Sequence, residues 1–445
     1  MSIRTTIAAV TAAMVLGTAP AALGQASPLP IIETWTLPNG LQVAHVPSHR
    51  APVVSVQVWY RAGSKDEPAN RRGLARVVQH ALFQGSTHVR PGDHAAYIAR
   101  VGGYSDGTTI EDATALQNLV PRQYFELVMR LEADRMRNVE WRPELMKAAR
   151  ALAAQDLARA SADPLKQGVW PFLEMVYQKH PYAWESVGRA QDIKKTTDAE
   201  ARAFYDAYYV PNNALVVVVG DVDRKAVETA ATAHFGPIPA GAKPPRPAAD
   251  KREPPQTEAR RKQLAGGEVG LVIRGFHIPE ATHEDIYALQ VLSLILGSGS
   301  RGRLEADLAQ RTKARLQAGS SAVVREDPGL FFAWVAFAAG TAPKSIESAL
   351  FDAVAGVIAK PPTGQELSAV RNLIFSDFGF RLETAAGLAG QVGLSWILTG
   401  DSGQFVGDLA ELEAVSGNDV ARVAKTYLTR ENSTTLVIAP SARQN

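Results

Sequence analysis

The feature that most constrains this chain is that it ends twice in the same way. "YYVPNNALVVVVGD" at residues 208–221 and "YLTRENSTTLVIAP" at residues 427–440 each read as the end of a helix, a turn and a buried strand. Between them lies "AGAKPPRPAADKREPPQTEARRK", where proline and charge without periodicity read as a solvated, extended linker. A chain of 445 residues is too long for one ordinary core. A weak internal duplication is therefore the economical reading, with an α+β fold in two homologous domains of similar size. The expected boundaries are residues 27–240 and 263–445, joined by a linker at 241–262.

Within the first domain, "GLQVAHVPS" and "APVVSVQVWYRAGS" alternate as two strands. Helical patterns follow at residues 74–82 and 93–100, and "GGYSDGTTIEDATALQNLV" enters a strand through a glycine turn. Longer helices fill residues 122–138 and 143–161, the second opened by Pro143, a residue suited to the first helical turn. Past the linker the order partly recurs. "GEVGLVIRGFHIP" is a strand, residues 284–296 a helix and "GLFFAWVAFAAG" a buried strand.

Composition excludes several functions. The chain has no cysteine, hence no disulfide, thiolate metal site, cysteine nucleophile or lipid anchor on cysteine. A formal charge of +2 gives no reason to expect nucleic acid as a partner. With 46% hydrophobic and 21% charged residues the chain reads as globular. At the N-terminus Arg4 precedes an apolar run from Ile7 to Leu16, closed by the small residues of "AALGQAS". That pattern predicts a signal peptide over residues 1–26 and export to the periplasm or beyond, without a stable membrane anchor after cleavage. The run is shorter than the ~20 residues a membrane span needs.

The candidate site is "GLARVVQHALFQGS", residues 73–86. Leu74, Val77, Val78 and Leu82 make an apolar stripe, and Arg76, Gln79 and His80 share another side of the same helix. Read alone, these three are an ordinary polar helix face. The layout is also that of an H-x-x-E-H helix, in which two histidines one turn apart bind zinc and the glutamate activates water. Only the last of the three letters is kept.

Seven strings in order, "LPNGLQV", "YRAGSKDEP", "GLARVVQHALFQGS", "GGYSDGTTIEDAT", "HPYAWESVG", "YYVPNNALVVVVGDVD" and "LSLILGSGSRGRL", span most of the chain. In them the sequence resembles the pitrilysin and insulinase family of zinc metallopeptidases, in its two-domain, processing-peptidase-like branch. The resemblance implies α/β-sandwich domains of the half-clamshell type. It places the first zinc ligand on Arg76, the general base on Gln79, the second ligand on His80 and the third on Asp156, 76 residues beyond His80. Arginine has no lone pair to give a metal and stays protonated. Glutamine cannot take a proton from water. His80 and Asp156 remain as ligand positions, fewer than the three a catalytic site normally holds. No zinc or other cofactor is therefore expected, and Arg76 is expected to pair with Asp156 and hydrogen-bond to Gln79.

The family's arginine and tyrosine for the oxyanion fall on Ala309 and Leu316, and no tyrosine lies between Tyr287 and Tyr427 to replace the second. Arg311 or Arg315 could supply a charge there. The strand Ser105, Asp106, Gly107, Thr108 and Thr109 corresponds to the family's edge for extended peptides. His88, His94, His180, His234, His277 and His283 form no second ligand cluster and are read as surface or structural. "GSGSRGRL" lacks the spacing of a phosphate loop.

The expected function is a non-catalytic subunit that builds a peptide chamber with a homologous, zinc-bearing peptidase subunit. Two alternatives stand beside it: an active peptidase with rearranged ligands, and a stand-alone peptide-binding scaffold.

Overall fold

The computed structural model describes residues 29–246, 252–266, 269–298, 302–311, 316–338 and 341–440. The expected leader lies outside them. The first half runs β1 (Glu33–Thr36), β2 (Gln42–Pro47), β3 (Val53–Tyr60), α1 (Leu74–Ala81), α2 (Asp93–Arg100), β4 (Tyr104–Thr109), β5 (Thr114–Pro121), α3 (Phe125–Arg137), α4 (Pro143–Ser161), α5 (Pro164–Val176), α6 (Ala190–Lys195), α7 (Asp198–Tyr208), β6 (Ala214–Gly220) and α8 (Arg224–His234). The second runs β7 (Arg260–Ala265), β8 (Gly270–His277), α9 (Asp285–Gly297), α10 (Arg303–Arg311), β9 (Leu316–Val323), β10 (Leu330–Phe337), α11 (Pro343–Ala359), α12 (Gly364–Glu383), α13 (Ala385–Thr399), α14 (Phe405–Ala414), α15 (Gly417–Tyr427) and β11 (Ser433–Ala439).

Two mixed sheets result, in the orders β1-β2-β6-β3-β5-β4 and β7-β11-β8-β10-β9. Apart from β1 the orders correspond strand for strand. In each, the first strand of the shared set pairs in parallel with the last strand of its half, β2 with β6 and β7 with β11. The other neighbours are antiparallel. The fold is α+β with two sheets, as the duplicated closing strings implied. One difference concerns the linker. β7 starts at Arg260, inside the stretch read as solvated, and Glu253 accepts the backbone N–H groups of Gln178, Lys179 and His180 at 2.8–3.0 Å. Its basic residues suit an edge strand, where charge deters pairing with another chain.

Each sheet is covered on one face by helices of its own half. Val54, Val56, Val58 and Tyr60 of β3 join Leu74, Val77 and Val78 of α1 in one core. The alternate residues of a strand face the other way, and there the halves exchange helices. Trp59, Val217 and Val219 meet Leu388, Val392, Trp396 and Ile397 of α13. In return Phe172, Leu173 and Val176 of α5 cover Leu271, Ile273 and Leu436 of the second sheet. Polar ties fix the α13 seat: Gln57 Nε2 donates to Ala386 O (2.9 Å), Arg61 to Trp396 O (2.7 Å) and Trp396 Nε1 to Gln42 Oε1 (2.9 Å).

An ion cluster around a buried lysine joins the halves beside this exchange. Lys65 Nζ lies 2.8 Å from Asp112, 2.6 Å from Glu326 and 3.2 Å from Asp327. Burial alone would lower the lysine pKa, but the three carboxylates outweigh it and hold Lys65 above the ordinary value.

Gly393 of α13 lies against the Trp59 indole so closely that an added Cβ would fall 2.1 Å from Nε1. Gly393→Val is expected to lift α13 off the first sheet and to cost about 1–3 kcal/mol. The check is a lower urea midpoint with far-UV circular dichroism unchanged at zero urea.

Candidate functional site

The site is built where α1 crosses α4 beneath the free edge of the first sheet. α1 begins after Gly73, whose φ of 99° lies in the left-handed region that favours glycine. Its first amides are closed by Glu67, which accepts the N–H groups of Gly73 (2.9 Å) and Ala75 (2.8 Å). Burial pushes the Glu67 carboxyl up to about 8 against the pull of those two donors. Glu67 follows Lys65 by two residues, so one short segment both docks the halves and starts the site helix.

With the apolar stripe of α1 buried, Arg76 and His80 reach Asp156 on α4, and Gln79 packs beneath Gly107 of β4. His80 Nε2 stands 2.8 Å from Asp156 Oδ2, and Arg76 Nε lies 3.6 Å from the same oxygen. Arg76 also donates to Gln79 Oε1 at 3.0 Å. The second carboxylate oxygen of Asp156 pairs with Arg159 at 2.6 Å. Arg159 is a partner that the sequence reading missed, although its i,i+3 spacing from Asp156 on one helix announces it. Burial lowers the Arg76 pKa while Asp156 and Asp106 oppose that shift, and a guanidinium remains charged throughout the ordinary range. His80 is shifted below its usual value by burial, with the Asp156 hydrogen bond pulling the other way. At neutral pH it is therefore a neutral imidazole that donates from Nε2 to the carboxylate.

These residues do not fit zinc. The Asp156 oxygen that would face a metal is committed to His80 and Arg76, and the guanidinium brings a positive charge to the place of the first ligand. Among the described residues, no group of three or more His, Cys, Asp or Glu side chains stands where it could hold a metal ion. Gln79, 3% exposed, cannot act as the base for a water molecule. What the constellation can do is cross-link: an arginine, a histidine and an aspartate join α1 to α4 by charge and hydrogen bonds.

The edge strand lies directly over Gln79. A Cβ added to Gly107 would fall 2.8 Å from Gln79 Nε2 and 2.7 Å from the Phe83 ring, so any larger residue there would have to push these two side chains aside. Ser105, Asp106, Gly107, Thr108 and Thr109 pair with β5 on one side only and form the free edge of the sheet. In the second half, Ala309 sits exposed on α10 and Leu316 opens β9. Neither carries a group able to stabilise an oxyanion. Arg311 ends α10, and Arg315 lies outside the described residues. His94 and His180 are buried, in the sheet core and at the Lys65 seam, each remote in role from His80.

Removing the Asp156 carboxylate should strand Arg76, which is only 16% exposed at the side chain. Asp156→Ala is expected to cost about 1–3 kcal/mol. The apolar pair Arg76→Met with Asp156→Leu should recover most of that loss, because it removes both charges together. Urea unfolding of the three proteins measures the difference.

Comparison with known proteins bears on the family and the fold. Residues 42–183 match the family described as Insulinase (Peptidase family M16), and residues 195–374 match the Peptidase M16 inactive domain. The zinc protease PqqE of Helicobacter pylori is 28% identical over 435 residues, which cover 96% of this chain and 97% of the relative. A probable mitochondrial-processing peptidase subunit beta of Arabidopsis thaliana is 20% identical, covering 92% and 79%. Among solved structures, a protease from Helicobacter pylori superposes with a TM-score of 0.87 at 26% identity, covering 93% of this chain and all of the other. The first half of the periplasmic protease PqqL from Escherichia coli shares the fold, with a TM-score of 0.73 at 18% identity and 92% of each chain covered. Both halves and the spacing of the altered helix lead to one assignment: the chain belongs to the insulinase-like zinc peptidases of family M16.

Proposed function

We propose that this chain is a non-catalytic, zinc-free subunit of an exported M16 peptidase, working with a homologous subunit that carries an intact H-x-x-E-H helix. The single observation that carries the reading is the Arg76 guanidinium, held by Asp156 and Gln79 where a family member would present its first ligand. A cation in that place repels a metal, and Gln79 supplies no base. Large apolar interfaces are how such subunits assemble. In such a pair this chain contributes chamber wall, and its partner the chemistry.

Export is supported by the basic and apolar pattern of the first residues and by the periplasmic protease among the structural relatives. Among the described residues no helix is long and apolar enough to cross a membrane.

The test is reconstitution. The mature chain alone is expected to leave a quenched fluorescent peptide library uncut, and to raise cleavage when added to an H-x-x-E-H homologue encoded beside it. Arg76→His with Gln79→Glu and Asp156→Glu should bind about one zinc per chain, because the altered helix then has the family's ligand set. Cleavage by the unpaired wild-type chain that His80→Ala abolishes would overturn the reading. A chain that co-purifies with peptides and no homologue would make it a scaffold instead.

A further inference from the structure

The free edge of the first sheet is partly closed by its own side chain. Ile110 N–H donates to Ala113 O at 2.8 Å, one step beyond the Thr109–Thr114 pair that ends the β4–β5 register. Antiparallel partners alternate between hydrogen-bonded and non-hydrogen-bonded pairs. Counting in steps of two from Ile110, the backbone groups of Thr108, Asp106 and Tyr104 are bonded to β5. Those of Ser105 and Gly107 point outward, where an added strand would meet them, while Thr109 is buried at the end of the strand. The central outward donor is already used: Gly107 N–H donates to Asp106 Oδ1 at 2.8 Å. The Tyr104 hydroxyl donates to the other oxygen of the same carboxylate, also at 2.8 Å. Tyr104, itself 59% exposed, thus braces Asp106 in that position.

We propose that Asp106 is a built-in cap on this edge, and that it makes the edge selective for an extended peptide segment carrying a lysine or arginine. A strand that joins β4 must take the Gly107 donor and so displace the carboxylate. Arg76 is near enough to be stabilised by Asp106, but its own contacts are with Gln79 and Asp156. The displaced charge is left exposed beside the arriving strand, where a cross-strand cation compensates it and a neutral side chain does not. The proposal rests on the non-catalytic reading in one respect: a peptide on this edge is held and not cut. The edge strand β7 instead carries Arg260, Arg261 and Lys262, with Arg261 paired to Glu347.

The experiment is fluorescence anisotropy on the purified mature chain with two labelled, proline-free extended peptides that differ only in lysine against glutamine at alternate positions. Wild type should prefer the lysine peptide by about three- to fivefold. Asp106→Ala should bind the glutamine peptide about fivefold more tightly than wild type does and lose the preference. Asp106→Asn keeps an acceptor for Gly107 N–H without the charge, so it should keep the weak binding of the neutral peptide and lose only the lysine preference. Hydrogen exchange of the segment holding Gly107 should speed up in Asp106→Ala and not in Asp106→Asn.

A lysine preference that survives both substitutions would overturn the selectivity, and unchanged neutral-peptide binding in Asp106→Ala would overturn the cap. Failure of every variant to bind either peptide, or an Asp106→Ala protein that only dimerises on gel filtration, would overturn the proposal as a whole. Mass spectrometry of the recovered peptides separates the two readings. Cut peptides bound with the lysine preference intact would contradict the non-catalytic role and leave the edge selectivity standing.

Discussion

The molecule depends on a buried ammonium. Lys65, 3% exposed, sits between Asp112 of the first half and Glu326 and Asp327 of the second, and an isolated charge at that depth would be far too costly to bury. The cluster is sustained because both halves contribute to it. Seating the lysine places Glu67 two residues later, Glu67 closes the first amides of α1, and α1 carries Arg76, Gln79 and His80 to α4. The exchange of α5 and α13 between the sheets works in the same direction. Each half needs a helix of the other to cover its second face.

Within that frame Arg76, Gln79, His80 and Asp156 form a side-chain cross-link. A catalytic M16 helix and its third ligand are joined through a metal, and here α1 is joined to Asp156 of α4 by an ion pair from Arg76 and one hydrogen bond from His80. Zinc contributes both a cross-link and a Lewis acid. Arginine replaces the first and cannot replace the second. Gly107 leaves room for the Gln79 and Phe83 side chains to pack against the edge strand.

Much of this was legible in the sequence, for physical reasons that can be named. The 3.6-residue periodicity of α1 and the proline opening α4 placed the two site helices, and the matched closing strings announced two related sheets. The Arg76, Gln79 and Asp156 arrangement followed from the chemistry of the side chains once the spacing was aligned. The helix exchange was not legible, because Leu388, Val392 and Trp396 have the spacing of any core helix and spacing does not say which sheet is covered. β7 was hidden by its own protection, since Arg260, Arg261 and Lys262 resemble a solvated linker and are what an edge strand needs. Asp106 before Gly107 reads as a weakened strand. Only the register shows that the amide of one is held by the carboxylate of the other.

The most direct measurement of the central claim is a calorimetric titration of zinc into the mature wild-type chain near neutral pH. An ion-paired Arg76 predicts no stoichiometric binding. Uptake of about one zinc per chain with submicromolar affinity, lost in His80→Ala, would show that Arg76 yields its place to the metal, and would contradict the account.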